Sequence, residues 1–90
     1  AELVSEFNAQ NQRLVTNIRE SALDCDYEQL RFNAHTLKGS SLNVGALRQG
    51  KIALFIENAC KVEDCATINE TVPALMTIAE ETEAALRSLV

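Results

Sequence analysis

Apolar residues recur at spacings of three and four along nearly the whole chain, and four segments carry that rhythm. The first runs from about Leu3 to Ala22, with Leu3, Phe7, Leu14 and Ile18 on one face and Asn8, Gln10, Asn11, Gln12 and Arg13 filling much of the other side. Asp24-Cys25-Asp26 breaks it. Asp26 is suited to cap a new helix, with Gln29 three residues on in the manner of a capping box. The second segment runs from about Tyr27 to Leu42, with an inward stripe of Tyr27, Leu30, Ala34, Leu37 and Ser41. A short connection around Asn43–Gly45 leads to the third, from about Ala46 to Lys61, with Ile52, Phe55, Ile56 and Ala59 inward. Val62–Ala66 reads as a loop, and Thr67-Ile68-Asn69-Glu70 as the capping box of a last helix. There Ile68, Val72, Leu75, Ala79, Thr82, Leu86 and Leu89 repeat at helical spacing. Pro73 should kink that helix rather than delay its start to about Thr71.

Four amphipathic segments with short connections predict an all-α fold, an antiparallel up-down-up-down four-helix bundle formed by residues 1–90 as one domain. Composition agrees. Apolar residues make up 47% of the chain, enough for one core, and the 4% aromatic content points to aliphatic helix-on-helix packing. Three glycines and one proline are too few for the many turns of a sandwich or barrel.

Eight basic against thirteen acidic residues give a net charge of −5, which disfavours general binding to nucleic acid or to an anionic membrane. No apolar run approaches the roughly 20 residues of a membrane span, and the first residues do not read as a signal peptide. A start at Ala1 without methionine is compatible with a piece of a longer protein. Cys25, Cys60 and Cys65 are odd in number and lack framework spacing, which fits buried or incidental thiols in a reducing, cytoplasmic setting. They offer no four-ligand metal pattern; His35, Glu57 and Cys60 are the nearest set, and no metal is expected.

The chemistry concentrates on the second segment. His35 is the only histidine, and Arg31, His35, Lys38 and Leu42 share a helical face, flanked by Phe32 and Gly39. A lone histidine is by default a satisfied core or surface residue. Here the stripe through Leu30, Ala34 and Leu37 points away from it, so the imidazole should meet solvent between two cations. Such a pair suits phosphoryl oxygens, with Lys38 as a point charge. Gly39 costs a helix interior roughly 1 kcal/mol relative to alanine, yet helical spacing continues through it to Ser41 and Val44. A missing side chain one turn beyond His35 clears space for a partner's backbone. Ser40 and Ser41 are placed to bond back to carbonyls of the preceding turn or to pack tightly against a neighbouring helix.

Ala34-His35-Thr36-Leu37-Lys38-Gly39-Ser40-Ser41, followed by Gly45-Ala46, resembles the signature of histidine-containing phosphotransfer (Hpt) domains of multistep two-component phosphorelays. The likeness covers essentially the whole chain and includes the Ile56-Glu57 pair on the third helix; Gln49-Gly50 departs from the apolar and small pair usual there. The resemblance implies that His35 accepts a phosphoryl group from a receiver-domain phosphoaspartate and passes it to another receiver aspartate. It implies that Glu57, by its spacing along the chain, takes the place of the acid or amide that hydrogen-bonds the histidine Nδ1. Lys38 would neutralise oxygens and Gly39 would permit approach. Docking would use Arg31, Phe32, Gly39 and Leu42, with Phe7 and Asn11 of the first helix, while Ser40, Ser41 and Gly45 complete the structural motif.

The implied partners are response-regulator receivers, which hold Mg²⁺ in their own acidic pocket. The domain itself would need no cofactor and would act as a monomeric phosphocarrier without autonomous kinase activity, alone or in cis with a hybrid histidine kinase. Two rival readings share the bundle: a chemotaxis-kinase-type acceptor phosphorylated directly by an ATP-binding domain, and a non-catalytic helical adaptor.

Overall fold

Three turns of one design divide the chain into four helices. The computed structural model describes residues 2–89 and places α1 at Glu2–Leu23, α2 at Tyr27–Asn43, α3 at Leu47–Lys61 and α4 at Cys65–Arg87. Each helix leaves its last carbonyls unpaired, and each turn satisfies them by the same pair of backbone bonds. At the end of α1, the Cys25 and Asp26 amides donate to the Ala22 and Ser21 carbonyls at 3.3 and 3.0 Å. At the end of α2, Gly45 and Ala46 donate to Leu42 and Ser41 at 3.2 and 2.8 Å. At the end of α3, Glu63 and Asp64 donate to Cys60 and Ala59 at 3.1 and 3.0 Å.

The residue after each left-handed position starts the next helix. Asp26 Oδ1 accepts from the Gln29 amide at 3.2 Å, and Asp64 Oδ1 accepts from the Thr67 amide at 3.2 Å. The second of these corrects the expected capping box. Asp64, not Thr67, is the cap, and α4 starts at Cys65; the Thr67 hydroxyl instead donates to Asp64 Oδ2 at 2.6 Å. Pro73 lies inside α4, on an exposed position, and the helix runs through it.

The geometry requires a left-handed residue in each turn, but only the middle turn uses glycine. Gly45 has φ +75°, while Cys25 and Glu63 sit at φ +52° and +53° with side chains attached. A left-handed backbone costs an L-residue about 1–2 kcal/mol, partly offset by glycine's larger unfolded-state entropy. Glu63→Gly should therefore raise stability by about 0.5–1 kcal/mol. A denaturant titration checks this, and a lower midpoint would contradict the account.

Each helix packs against two others in the ring α1–α2–α3–α4, with no close backbone approach across the diagonals, and no strand is present among the described residues. Ile18, Leu30, Leu37, Ile56, Ile68 and Leu75 are completely enclosed and fill the centre. Their burial, at about 25 cal/mol per Å² of apolar surface, is what holds four otherwise marginal helices together. Leu3 and Phe55, expected inward, are exposed. Phe55 follows Leu54 and precedes the fully buried Ile56, so a turn of 100° per residue carries it off the core face.

One end of the core is polar. Asn11 is 1% exposed, which removes it from the expected docking surface. Its Nδ2 donates to Glu83 Oε2 at 2.8 Å and to Gln49 Oε1 at 3.2 Å, while its Oδ1 accepts from Gln49 Nε2 at 2.8 Å. Gln49 Nε2 also donates to Ser41 Oγ at 2.7 Å, and Gln12 Nε2 to Glu83 Oε1 at 2.9 Å. All four helices contribute to this layer, and it explains the departure at Gln49-Gly50: the amide is buried because it has partners.

The cysteines also depart from expectation. Cys25 and Cys65 are joined in a disulfide, and only Cys60, buried in the core, is free.

Candidate functional site

The fold leaves His35 outside by one step of a helix. Leu30, Ala34, Leu37 and Ser41 form the buried stripe of α2, and His35 follows the fully enclosed Ala34. A 100° rotation takes it to the rim of the α2–α3 groove, where its side chain is 66% exposed. The helix continues without interruption through Gly39 to Asn43. Ser41 Oγ donates to the Leu37 carbonyl at 2.6 Å and Ser40 Oγ to the same oxygen at 3.1 Å, so both hydroxyls turn back on the preceding turn. At Gly50, α3 comes close to α2: a Cβ there would lie 3.1 Å from Leu42 Cδ2.

That approach brings Glu57 of α3 under the imidazole. Glu57 Oε2 lies 2.9 Å from His35 Nδ1, and Oε1 lies 3.1 Å from the Lys38 ammonium. The three side chains grade from outside to inside, with Lys38 at 26% and Glu57 at 10% exposure. A carboxylate accepts at Nδ1, so that nitrogen carries the proton, and in the neutral ring Nε2 keeps its lone pair. Burial raises the Glu57 pKa, but hydrogen bonds from His35 and Lys38, with their positive charge, outweigh it and hold the carboxyl below the usual glutamate range. Glu57 is therefore ionised at neutral pH and accepts from the imidazole and the ammonium at once.

A groove lined by Glu28, Gln29, Arg31, Phe32, His35, Glu57 and Lys61 opens beside this cluster. Phe32, at 67% exposure, and Leu42 present apolar surface on the same helix. Phe7 lies elsewhere, half-buried on the α1–α2 side in a shallow depression with Leu3, Arg13, Ser40 and Val44. The expected docking set thus divides: Arg31 and Phe32 line the groove at His35, Leu42 is exposed over Gly50, Phe7 borders Ser40, and Asn11 is interior. Lys61 was not anticipated. Its position four residues after Glu57, hence on the same helical face, was the available signal.

Apart from its chain neighbours and the backbone of its own helix, no atom lies within 4 Å of the place a Cβ at Gly39 would occupy. Nothing within the chain requires a glycine there, so its helix cost of about 1 kcal/mol has no compensation inside the fold. Among the described residues, no three or more His, Cys, Asp or Glu side chains are grouped to hold a metal ion, and no helix is long and apolar enough to cross a membrane.

A family model described as Hpt domain matches residues 2–88. Comparison with curated proteins and with solved structures gave no match.

Proposed function

The chain belongs to the Hpt domain family of two-component phosphorelays, and on that premise we propose that His35 is its phospho-acceptor, loaded from a receiver-domain phosphoaspartate and discharged to another receiver. The observation that carries this reading is the 2.9 Å contact between Nδ1 and Glu57, made by a side chain that is two-thirds exposed. Members of the family carry phosphoryl groups and work with response-regulator receivers; they are not autonomous kinases.

Nε2 attacks phosphorus in line with the aspartyl oxygen. The P–O bond breaks as the P–N bond forms, and the receiver regains its carboxylate. The phosphorylated ring retains its Nδ1 proton, and the Glu57 carboxylate offsets the positive charge that develops on it. Lys38 is one helical turn from His35 and within reach of the transferred oxygens once it leaves Glu57. Positioning and charge supply the catalysis, as in phosphoryl transfer generally, and the Mg²⁺ such transfer uses belongs to the receiver.

The test is incubation with phosphorylated receiver domains, followed by a search for phosphate on the chain that acid removes and base does not. Failure of every receiver tested to load the protein would contradict the reading.

Gly39 tests the docking geometry separately. Gly39→Ala should raise stability by about 1 kcal/mol, since the added methyl meets nothing and alanine favours the helix. Gly39→Leu should fold as well but weaken receiver binding at least tenfold by titration. Undiminished binding would show that no partner uses the cleared space.

A further inference from the structure

The two turns at one end of the bundle are tied together by hydrogen bonds as well as by packing. Tyr27 Oη, at the start of α2, donates to the Glu63 carbonyl in the α3–α4 turn at 2.9 Å. Asn69 Nδ2, on α4, donates to the Ala22 carbonyl at the end of α1 and to the Cys65 carbonyl, each at 3.1 Å. Between these bonds lie Cys25, at the left-handed position of the α1–α2 turn, and Cys65, the first residue of α4. Their Cα atoms are 5.8 Å apart, within the range that a disulfide spans without backbone movement. Both cysteines are half-buried, so solvent thiols can reach them.

We propose that Cys25 and Cys65 form a reversible thiol–disulfide clasp whose oxidation locks the α2–α3 hairpin and makes the domain's stability respond to the surrounding thiol redox state. The bond closes a loop of 40 residues in sequence separation, and that loop contains α2 and α3 entire, with His35, Lys38 and Glu57. Closing it removes conformations from the unfolded chain rather than adding contacts to the folded one. The non-covalent ties hold the two turns together without the bond, so the reduced domain keeps the geometry from which the bond re-forms. His35 lies eight residues into α2 from Tyr27, about 12 Å of helix, so the clasp acts on stability and leaves the phosphoryl chemistry alone.

The exchange balances with a small-molecule disulfide such as glutathione disulfide as oxidant. One protein thiolate attacks a sulfur of that disulfide and releases one small thiol. The second protein thiolate then attacks the mixed disulfide, forms the Cys25–Cys65 bond and releases the other. The protein gives up two electrons and two protons, which leave on the two small thiols. Cys60 does not compete: it is buried in the core, and burial pushes its thiol pKa up, so little of it is thiolate.

The experiment equilibrates the native protein in glutathione buffers from reducing to oxidising, then counts and maps thiols by alkylation and mass spectrometry, with a melt of each sample. Two thiols, at Cys25 and Cys65, should disappear together and return in reducing buffer without denaturant, while Cys60 is alkylated only after unfolding. The oxidised form should melt roughly 10–20 °C above the reduced one. Cys25→Ser and Cys65→Ser should each melt with the reduced wild type and ignore the buffer, whereas Cys60→Ser should keep the response. Three free thiols in every buffer, a bond involving Cys60, a bond that only denaturation allows to be reduced, or equal melting temperatures would each overturn the proposal. Wild type alone decides it should the serine variants fail to fold.

Discussion

His35→Gln should abolish phosphoryl loading from receivers while leaving the four-helix bundle intact. The side chain is two-thirds exposed, so its replacement removes no core contact. Glutamine keeps an amide able to donate to Glu57, so the buried carboxylate is not stranded. What disappears is the nucleophile: an amide nitrogen has no available lone pair, and no second histidine exists in the chain to substitute for it. Loading should fall to background, a loss of more than a thousandfold, with circular dichroism and melting temperature within error of wild type. Acid-labile phosphate persisting on the variant would place the acceptor elsewhere and remove the basis for assigning His35. Arg31→Ala and Phe32→Ala form the useful contrast. Both residues line the groove, so these changes should slow transfer by weakening docking and leave the acceptor itself competent at saturating receiver.

Asn11→Leu should cost about 3–5 kcal/mol of stability, although leucine is more apolar and of similar size. Asn11 completes hydrogen bonds to two buried groups, Gln49 and the Glu83 carboxylate. Removing it leaves the Gln49 amide without partners on α1 and deprives the carboxylate of one of its two side-chain donors, the other being Gln12. A buried carboxyl group stripped of a donor is left short of a hydrogen bond that water would supply in the unfolded chain, and this favours unfolding. For a domain of this length the change corresponds to a drop of tens of degrees in melting temperature, at about 4–8 °C per kcal/mol. Denaturant melts of Asn11→Leu beside Phe32→Ala separate the two roles. The first should unfold early, the second should not, and equal midpoints would mean that the polar layer contributes nothing.

Asn11 also shows where sequence reading works and where it stops. Phe7, Asn11, Leu14 and Ile18 fall at spacings of four, three and four, so periodicity alone assigns Asn11 to the buried face; its polarity argued for the opposite. Whether a polar residue on an apolar stripe is interior depends on partners on other helices, and Gln49 and Glu83 lie far away in the chain. Phe55 fails in the reverse sense, as an aromatic judged by its hydrophobicity rather than by its angle.

Local signals fared better. Asp26 caps α2 as its spacing to Gln29 suggested, and the helix passes through Gly39. At the start of α4, Asp64 and Thr67 were both chemically able to cap, and only the turn geometry chose between them. Within the site, helical phase placed His35 at the surface and beside Lys38. The meeting of His35 with Glu57 came from the family likeness rather than from phase, because the offset between two helices is not written in either one. The Cys25–Cys65 pairing is equally non-local: two turns, one at each end of a two-helix excursion, had to be brought together before the thiols could be seen as a pair.

The layer of Asn11, Gln49, Ser41 and Glu83 has a consequence for how such a domain diversifies. Hydrophobic faces tolerate sliding, but amides that must meet amides do not, and a one-turn slip of α3 would move Glu57 about 5 Å from the imidazole. Gln49 precedes Glu57 by eight residues, about 12 Å of helix, so alignment is enforced at a distance from the groove beside His35. Phe32, Arg31 and Lys61 lie outside that layer, so substitutions there leave its hydrogen bonds intact. Under the proposed function, receiver preference could change there without disturbing the contact between His35 and Glu57, because the ruler that sets it is kept in a different part of the molecule.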